Sequence, residues 1–108
     1  MQIDFSSEGT CLTAYFSGEL DHHSGAEARE KTDTMLSLGI YNQLIFDFTG
    51  LTFMDSSGIA VIMGRVSRLS ALGGKVTVIT SDSKITRILK LSGVDKYVEL
   101  KEKGGNLK

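Results

Sequence analysis

The sequence contains no proline and a single cysteine, Cys11. A lone cysteine excludes an intramolecular disulfide and a multi-cysteine zinc cluster, which is typical of a protein from a reducing compartment. No run approaches the ~20 apolar residues of a membrane span, and residues 1–5 lack the basic and apolar regions of a signal peptide. We therefore expect a cytoplasmic protein with no membrane partner. Without proline, turns and helix ends depend on the twelve glycines.

The net charge is also small, because twelve Lys and Arg stand against thirteen Asp and Glu and leave −1 at pH 7. This balance provides no overall field for binding nucleic acid, so we expect no nucleic-acid partner. A length of 108 residues with 41% hydrophobic residues fits one globular domain without room for a deep substrate cavity. We expect this domain over residues 1–100 and a polar C-terminal tail over residues 101–108.

Several segments have the patterns of β-strands. Apolar residues alternate with polar ones on both sides of a polar turn at residues 6–10, which predicts a hairpin. Residues 44–48 and 76–79 are almost wholly apolar, which is typical of parallel strands covered on both faces. Residues 97–100 are predicted as a last short strand.

Three segments between these strands have helical patterns. Residues 22–38 are polar and contain Ala and Glu, residues 59–69 repeat apolar side chains at helical spacing, and a third helix spans residues 82–92. A glycine that could adopt the left-handed cap conformation follows each of them: Gly39, Gly73 and Gly93.

The predicted element order is therefore β-β-α-β-α-β-α-β. Helical crossovers between neighbouring strands require parallel pairing with right-handed connections. We predict an α/β fold, with a mixed sheet of four or five strands, an antiparallel hairpin at its start and about three helices packed on it.

Two common enzyme motifs are incomplete in this sequence. Gly74-Lys75 lacks both the earlier glycine and the following Ser or Thr of a phosphate-binding loop. Serine hydrolases have glycine two residues to either side of the nucleophile, but Met54 stands two residues before Ser56 and Asp55 stands two residues before Ser57. We expect no catalytic residue and no cofactor.

The pair His22-His23 could suggest a metal site. Adjacent histidines point in different directions, however, and the sequence holds no further histidine to complete a ligand set. We expect no metal and interpret the pair as a polar loop that opens the first helix, with Asp21 as its candidate N-cap. A small hydrolase that uses Ser57 with one of these histidines is a disfavoured alternative.

The most informative segment is Asp55-Ser56-Ser57-Gly58, between a predicted buried strand and a helix. Its three polar residues are good helix caps, and capping alone is one interpretation. A serine at a helix N-terminus is also suited to phosphorylation, because free N–H groups and the helix dipole accommodate an added charge of roughly −1.5 to −2. A phosphate beside Asp55 would add repulsion and change the surface presented to a partner. The residues alone leave both interpretations open.

The helix after this segment has a candidate docking face. With its apolar stripe inward, helical geometry predicts that the opposite side carries mostly small residues: Ala60, Val61, Gly64, Arg68 and Ala71. Small residues would let another protein approach the backbone, and Arg68 would be available to an acidic partner. The alternative is that neighbouring loops cover this side.

In these residues the sequence resembles a STAS domain of the anti-sigma factor antagonist type. The matching segments are residues 18–23, 53–62, 73–75 and 91–94. The resemblance covers residues 3–100. It departs from the family at Ala60, where glycine is frequent, and in the polar tail, where many relatives continue into a helix.

The resemblance implies a partner switch. In that family the unphosphorylated antagonist binds an anti-sigma factor that is also a serine kinase, and thereby releases the sigma factor. The kinase then phosphorylates the antagonist, which dissociates until a serine phosphatase resets it. By motif position Ser57 is the implied phosphoacceptor, and the protein is expected to dock as a monomer. The implied partner-binding residues are Asp21, Asp55, Ser56, Ser57, Gly58, Val61 and Gly64.

A STAS interaction module of another system, such as a general stress partner switch or a transport complex, is the alternative. Serine at both position 56 and position 57 favours a kinase target.

Overall fold

The structure is a computed structural model that describes residues 1–103. Its elements follow the predicted order, with a 3₁₀ turn at Val94–Lys96 before the last strand. The strands are β1 (Gln2–Glu8), β2 (Cys11–Leu20), β3 (Gln43–Met54), β4 (Lys75–Thr80) and β5 (Glu99–Glu102). The helices are α1 (His22–Ser37), α2 (Ser56–Ser70) and α3 (Ser83–Ser92).

The five strands form one sheet in the order β1-β2-β3-β4-β5. β1 pairs with β2 in the antiparallel sense, and Gly9 between them adopts a φ of 61° that favours glycine. Each later pair is parallel. The predicted mixed sheet with an N-terminal hairpin is therefore confirmed.

The helices cover one face of this sheet. Consecutive strands are neighbours, so each right-handed crossover returns over the same face, and α2 contacts both α1 and α3. On the covered face the paired Phe46 and Val78 are fully buried, whereas on the opposite face the paired Ile45 and Thr77 are only half-buried. The prediction that the inner strands are covered on both faces is wrong, because all crossovers advance in one direction along the sheet.

The core lies between the helices and the covered face. Phe16, Phe46 and Phe48 form an aromatic cluster with ring centroids between 5.1 and 5.7 Å apart. Buried side chains from α2 and α3 complete it: Val61, Ile62, Leu69, Ile85 and Leu89. Burying each large apolar side chain stabilises the fold by roughly 1.5–3 kcal/mol, so this layer holds both helices on the sheet.

Glycine ends two of the three helices as predicted. Gly93 caps α3 with a φ of 83°, and Gly73 lies in the turn after α2 with a φ of 74°. The expected left-handed cap at Gly39 is wrong, because α1 ends at Leu38 in a right-handed conformation and Gly39 has no positive φ. A Cβ at position 39 would lie 2.7 Å from Cε2 of Tyr41, so a larger residue here would have to displace this ring.

The last strand lies further along the chain than predicted. Lys101 and Glu102, which were expected to begin the polar tail, pair with Ile79 and Thr80 of β4. An edge strand has one neighbour only and tolerates charged residues, which explains why their polarity suggested a tail. Residues 104–108 of the expected tail lie outside the described residues.

Candidate functional site

The candidate site lies where β2 and β3 end side by side. β3 is longer than predicted, and its parallel pairing with β2 continues to Leu20 opposite Met54. The Asp55 N–H donates to the carbonyl of Leu20 at 3.2 Å, which ties the two strand ends together. Because α1 and α2 begin directly after these strands, both N-termini lie at the same edge of the sheet.

Asp21 is the N-cap of α1, as predicted. Its carboxylate accepts hydrogen bonds from the N–H groups of His23 and Ser24, each at 3.0 Å, and the Asp21 N–H donates to the Ser24 hydroxyl at 2.9 Å. This reciprocal pair is a capping box. The Ser24 N–H, which favours the charged carboxylate, is the main cause of a lowered pKa of Asp21.

Asp55 is the N-cap of α2 and positions Ser57. Its carboxylate accepts from the Ser57 N–H at 2.8 Å, and its carbonyl accepts from the Gly58 N–H at 3.0 Å. Ser56 is exposed and Ser57 is half-buried. Within residues 1–103 neither serine hydroxyl makes a hydrogen bond. Capping is therefore performed by the aspartate, and both hydroxyls remain available for other chemistry.

Two glycines let the helices approach this point closely. A Cβ on Gly25, in α1, would lie 3.4 Å from the Cβ of Ser57. A Cβ on the buried Gly58 would lie 2.5 Å from both Cγ and Sδ of Met54 and 3.2 Å from Leu20. Gly58 thus allows α2 to start against the strand ends. Ser57 lies in the first turn of α2, next to Gly25 of α1.

Most of the predicted site residues meet at this edge: Asp21, Asp55, Ser56, Ser57 and Gly58. Gly64 lies further along α2, and a Cβ there would meet nothing within 4 Å. The geometry therefore offers a serine pair, two capping carboxylates and an open stretch of helix backbone.

The amino-acid sequence was compared with the sequence profiles of known domain families. The profile of the STAS domain matches residues 2–105, which is almost the whole chain. The chain belongs to the STAS domain family. The α/β sheet with three helices and an N-terminal hairpin is the fold that the resemblance implies, and it is confirmed.

This STAS domain is similar to characterised anti-sigma factor antagonists. It is 31% identical to the anti-sigma F factor antagonist of Paenibacillus polymyxa over 93% of this chain and 86% of the relative. The unphosphorylated form of the anti-sigma factor antagonist SpoIIAA superimposes with a TM-score of 0.82 at 25% identity, covering 95% of this chain and 89% of that one. The phosphorylated form of the Bacillus cell fate determinant SpoIIAA gives 0.74 at 25% identity, covering 95% and 92%.

The predicted outward placement of Val61 in this STAS domain is wrong. Val61 is fully buried, and one turn later Arg65 is only 8% exposed. The Arg65 guanidinium lies 3.0 Å from the carboxylate of Asp33 on α1. α1 packs against the side of α2 that carries Val61 and Arg65. The prediction was wrong because helical spacing assigned this side to solvent without knowing that another helix covers it.

Arg68 is likewise not free for an acidic partner. It forms an ion pair with the Asp33 carboxylate at 3.2 Å and donates to the Ser37 hydroxyl at 3.0 Å. The predicted docking face is therefore narrower than expected, because α1 occupies the part of it that carries the arginines.

One candidate contact residue was missed by sequence reasoning. Phe53 is 47% exposed at the end of β3, opposite Glu19 and two residues before the capping Asp55. An irregularity in the β2–β3 pairing between Gly18 and Glu19 interrupts simple alternation near this point. An aromatic side chain two residues before the Asp-Ser-Ser motif is the signal that could have indicated it.

The remaining features of the described residues concern the histidine pair, metal binding and membrane spanning. The rings of His22 and His23 lie 6.0 Å apart on the exposed start of α1. Among residues 1–103 no group of three or more His, Cys, Asp or Glu side chains is arranged to hold a metal ion. In the same residues no helix is both long and apolar enough to span a bilayer.

Proposed function

We propose that this STAS domain is an anti-sigma factor antagonist, and that phosphorylation of Ser57 abolishes its binding to an anti-sigma factor serine kinase. The observation that carries the proposal is the Ser57 hydroxyl, which makes no hydrogen bond within residues 1–103 and lies between the N-termini of two helices. The similarity to the anti-sigma F factor antagonist and to SpoIIAA supports it.

Ser57, rather than the more exposed Ser56, is the proposed acceptor. The Asp55 cap accepts from the Ser57 N–H at 2.8 Å and fixes the backbone there, and the Ser57 Cβ lies next to Gly25 of α1. A phosphate on this serine would meet the first turns of two helices, whose positive dipole ends favour an anion, although the Asp21 and Asp55 caps already occupy the N–H groups of His23, Ser24 and Ser57. The neutral hydroxyl can therefore be replaced by a dianion without unfolding either helix.

The phosphate would change the surface strongly. It adds roughly −1.5 to −2 charges near the carboxylates of Asp21 and Asp55, on a chain whose net charge is only −1. A partner surface complementary to the free serine would meet this new repulsion. Burying this added charge at an interface without a matching cation costs several kcal/mol, enough to dissociate a complex of ordinary affinity.

The proposed docking surface is the edge formed by the two helix N-termini. Asp21, Asp55, Ser56, Ser57 and Gly58 form its centre, and the open backbone at Gly64 extends it along α2. A monomer in the cytoplasm would dock there on one kinase subunit, and a serine phosphatase would restore the free serine. The proposal requires no cofactor, metal, membrane or nucleic acid on this chain.

The test combines the purified chain with a candidate anti-sigma factor serine kinase and with ATP. Intact mass should increase by one phosphate for the wild type and for Ser56→Ala, but not for Ser57→Ala. Ser57→Asp should bind the kinase at least ten-fold more weakly, as measured by calorimetry. A phosphate retained in Ser57→Ala would contradict the site. Absence of both binding and phosphorylation would favour a STAS module of another system.

A further inference from the structure

Charge is unevenly distributed along this nearly neutral chain. Residues 1–74 carry four Lys and Arg against nine Asp and Glu, whereas residues 75–103 carry seven against four. The edge formed by the N-termini of α1 and α2, which carries Ser57, thus belongs to the acidic part of the chain. The excess of cations lies in the part that contains β4, α3 and β5.

Three of these cations lie on the exposed side of α3. Lys84, Arg87 and Lys90 are exposed, while Ile85 and Leu89 of the same helix are buried against the core. Lys84 and Arg87 are separated by one helical turn and therefore lie on one side of the helix. α3 contains no acidic residue between Ser83 and Ser92.

An apolar side chain lies within this basic surface. Leu91 is 76% exposed and follows Lys84 and Arg87 on the same side of α3. Together with Lys90 and the end of β5 they line a groove of about 540 Å³. We call it the α3 groove, and its exposed lining residues are Ser83, Lys84, Arg87, Lys90, Leu91 and Glu102.

We propose that the α3 groove binds an acidic amphipathic helix of a partner protein, with carboxylates toward Lys84 and Arg87 and an apolar residue on Leu91. Charge complementarity selects an acidic ligand, and the exposed leucine between the cations requires an apolar counterpart. The proposal goes beyond the Ser57 switch, because no residue of the groove belongs to β2, α1, β3 or α2.

A protein segment fits the groove better than a phosphate polymer. Glu102 forms the other wall, 3.7 Å from the Lys90 ammonium, so the cations available to a ligand lie along α3 only. Nucleic-acid sites combine many cations without such an opposing charge. Acidic helices instead present carboxylates and leucines at one-turn spacing, which matches the spacing along α3.

The experiment uses the ¹⁵N-labelled full chain and a synthetic helical peptide with leucine on one side and glutamate on the other. A matched peptide carries glutamine in place of glutamate. The glutamate peptide should shift the amide resonances of α3 and β5. The glutamine peptide should bind roughly ten-fold more weakly, since two lost ion pairs near a surface have about that effect.

Substitutions in this chain distinguish peptide binding in the α3 groove from nonspecific attraction between opposite charges. Lys84→Glu combined with Arg87→Glu should weaken binding at least ten-fold, and Leu91→Ser should weaken it about five-fold through lost apolar contact. Lys75→Glu is the matched control, because Lys75 is exposed but lies outside the α3 groove and should leave binding unchanged. Ser57→Asp should also leave it unchanged, so this result is independent of the switch.

Four outcomes would overturn the proposal. They are resonance shifts confined to other elements, equal binding of the two peptides, tighter binding of duplex DNA or phosphatidylglycerol vesicles than of the glutamate peptide, and a groove filled by a second copy. Sedimentation equilibrium detects the last outcome as a dimer that Arg87→Glu dissociates.

Discussion

Gly25 and Ser57 approach each other so closely that a Cβ on the glycine would lie 3.4 Å from the Cβ of the serine. This contact joins the start of α1 to the start of α2. It is an ordinary van der Waals distance, so one added methyl group is tolerated, whereas a longer side chain at position 25 would extend toward the Ser57 hydroxyl.

Substitutions at Gly25 should therefore control access to Ser57. Gly25→Ala should fold and be phosphorylated like the wild type, with α1 stabilised by up to ~1 kcal/mol because alanine favours helix more than glycine. Gly25→Leu should be phosphorylated at least ten-fold more slowly. Intact-mass time courses measure the rate, and thermal unfolding shows whether the leucine variant is folded. Equal rates for both folded variants would contradict the proposed access route.

A pair of glycine substitutions on α2 should have opposite effects on stability. Gly64→Ala meets no atom within 4 Å and should stabilise the helix by up to ~1 kcal/mol. Gly58→Ala places a Cβ 2.5 Å from Met54 and should destabilise by ~1–3 kcal/mol through overpacking. Urea unfolding of the two variants measures the difference. If both variants were equally stable, Met54 would have moved aside without cost.

Asp21 should contribute stability that depends on pH. Its pKa is lowered mainly by the hydrogen bond from the Ser24 N–H, so the folded state binds the proton more weakly than the unfolded state. The contribution is present above the unfolded pKa of about 3.9 and is lost as pH falls through the lower folded pKa. Asp21→Asn keeps a neutral cap and should be less stable than the wild type at pH 7. The melting temperatures of the two proteins should converge near pH 2.

The ion pair between Asp33 and Arg65 should hold α1 against α2. Arg65 is 8% exposed, and burial is the main cause of its lowered pKa, opposed by the nearby Asp33. Asp33→Ala leaves a buried cation without its carboxylate and should cost ~1–3 kcal/mol. Glu27→Ala is the control, because it removes only the exposed Glu27–Lys31 pair on α1 and should cost about 0.5 kcal/mol or less. Equal losses in urea unfolding would show that the pair contributes nothing beyond surface charge.

Phe53 should contribute to partner binding and little to folding. Its ring is 47% exposed beside the proposed docking edge, and aromatic anchors often cost 2 kcal/mol or more when removed from an interface. Phe53→Ser should weaken kinase binding about ten-fold or more by calorimetry, with unchanged phosphorylation of Ser57 at saturating kinase. Tyr97→Ser is the matched control, because Tyr97 is 63% exposed and lies after α3.

The order of elements and the N-cap of α1 were readable from the chain itself, because they depend on local rules. Periodicity identified the helices, and Asp21 occupied the N-cap position as predicted. The length of β3 was not readable, because Thr49 and Gly50 interrupt the apolar run although the strand continues beside β2. Pairing with a neighbouring strand overrode the local pattern there.

The sequence by itself determined the α/β class, the hairpin, the Asp21 cap and the Asp-Ser-Ser-Gly turn between a strand and a helix. Tertiary structure decided what surrounds that turn. The burial of Val61, the pairing of Arg65 and Arg68 with Asp33, and the contact of Gly25 with Ser57 all arise from α1 packing on α2. The reason is physical: helical spacing tells which residues share a side of one helix, but only the packed neighbour decides which side meets water.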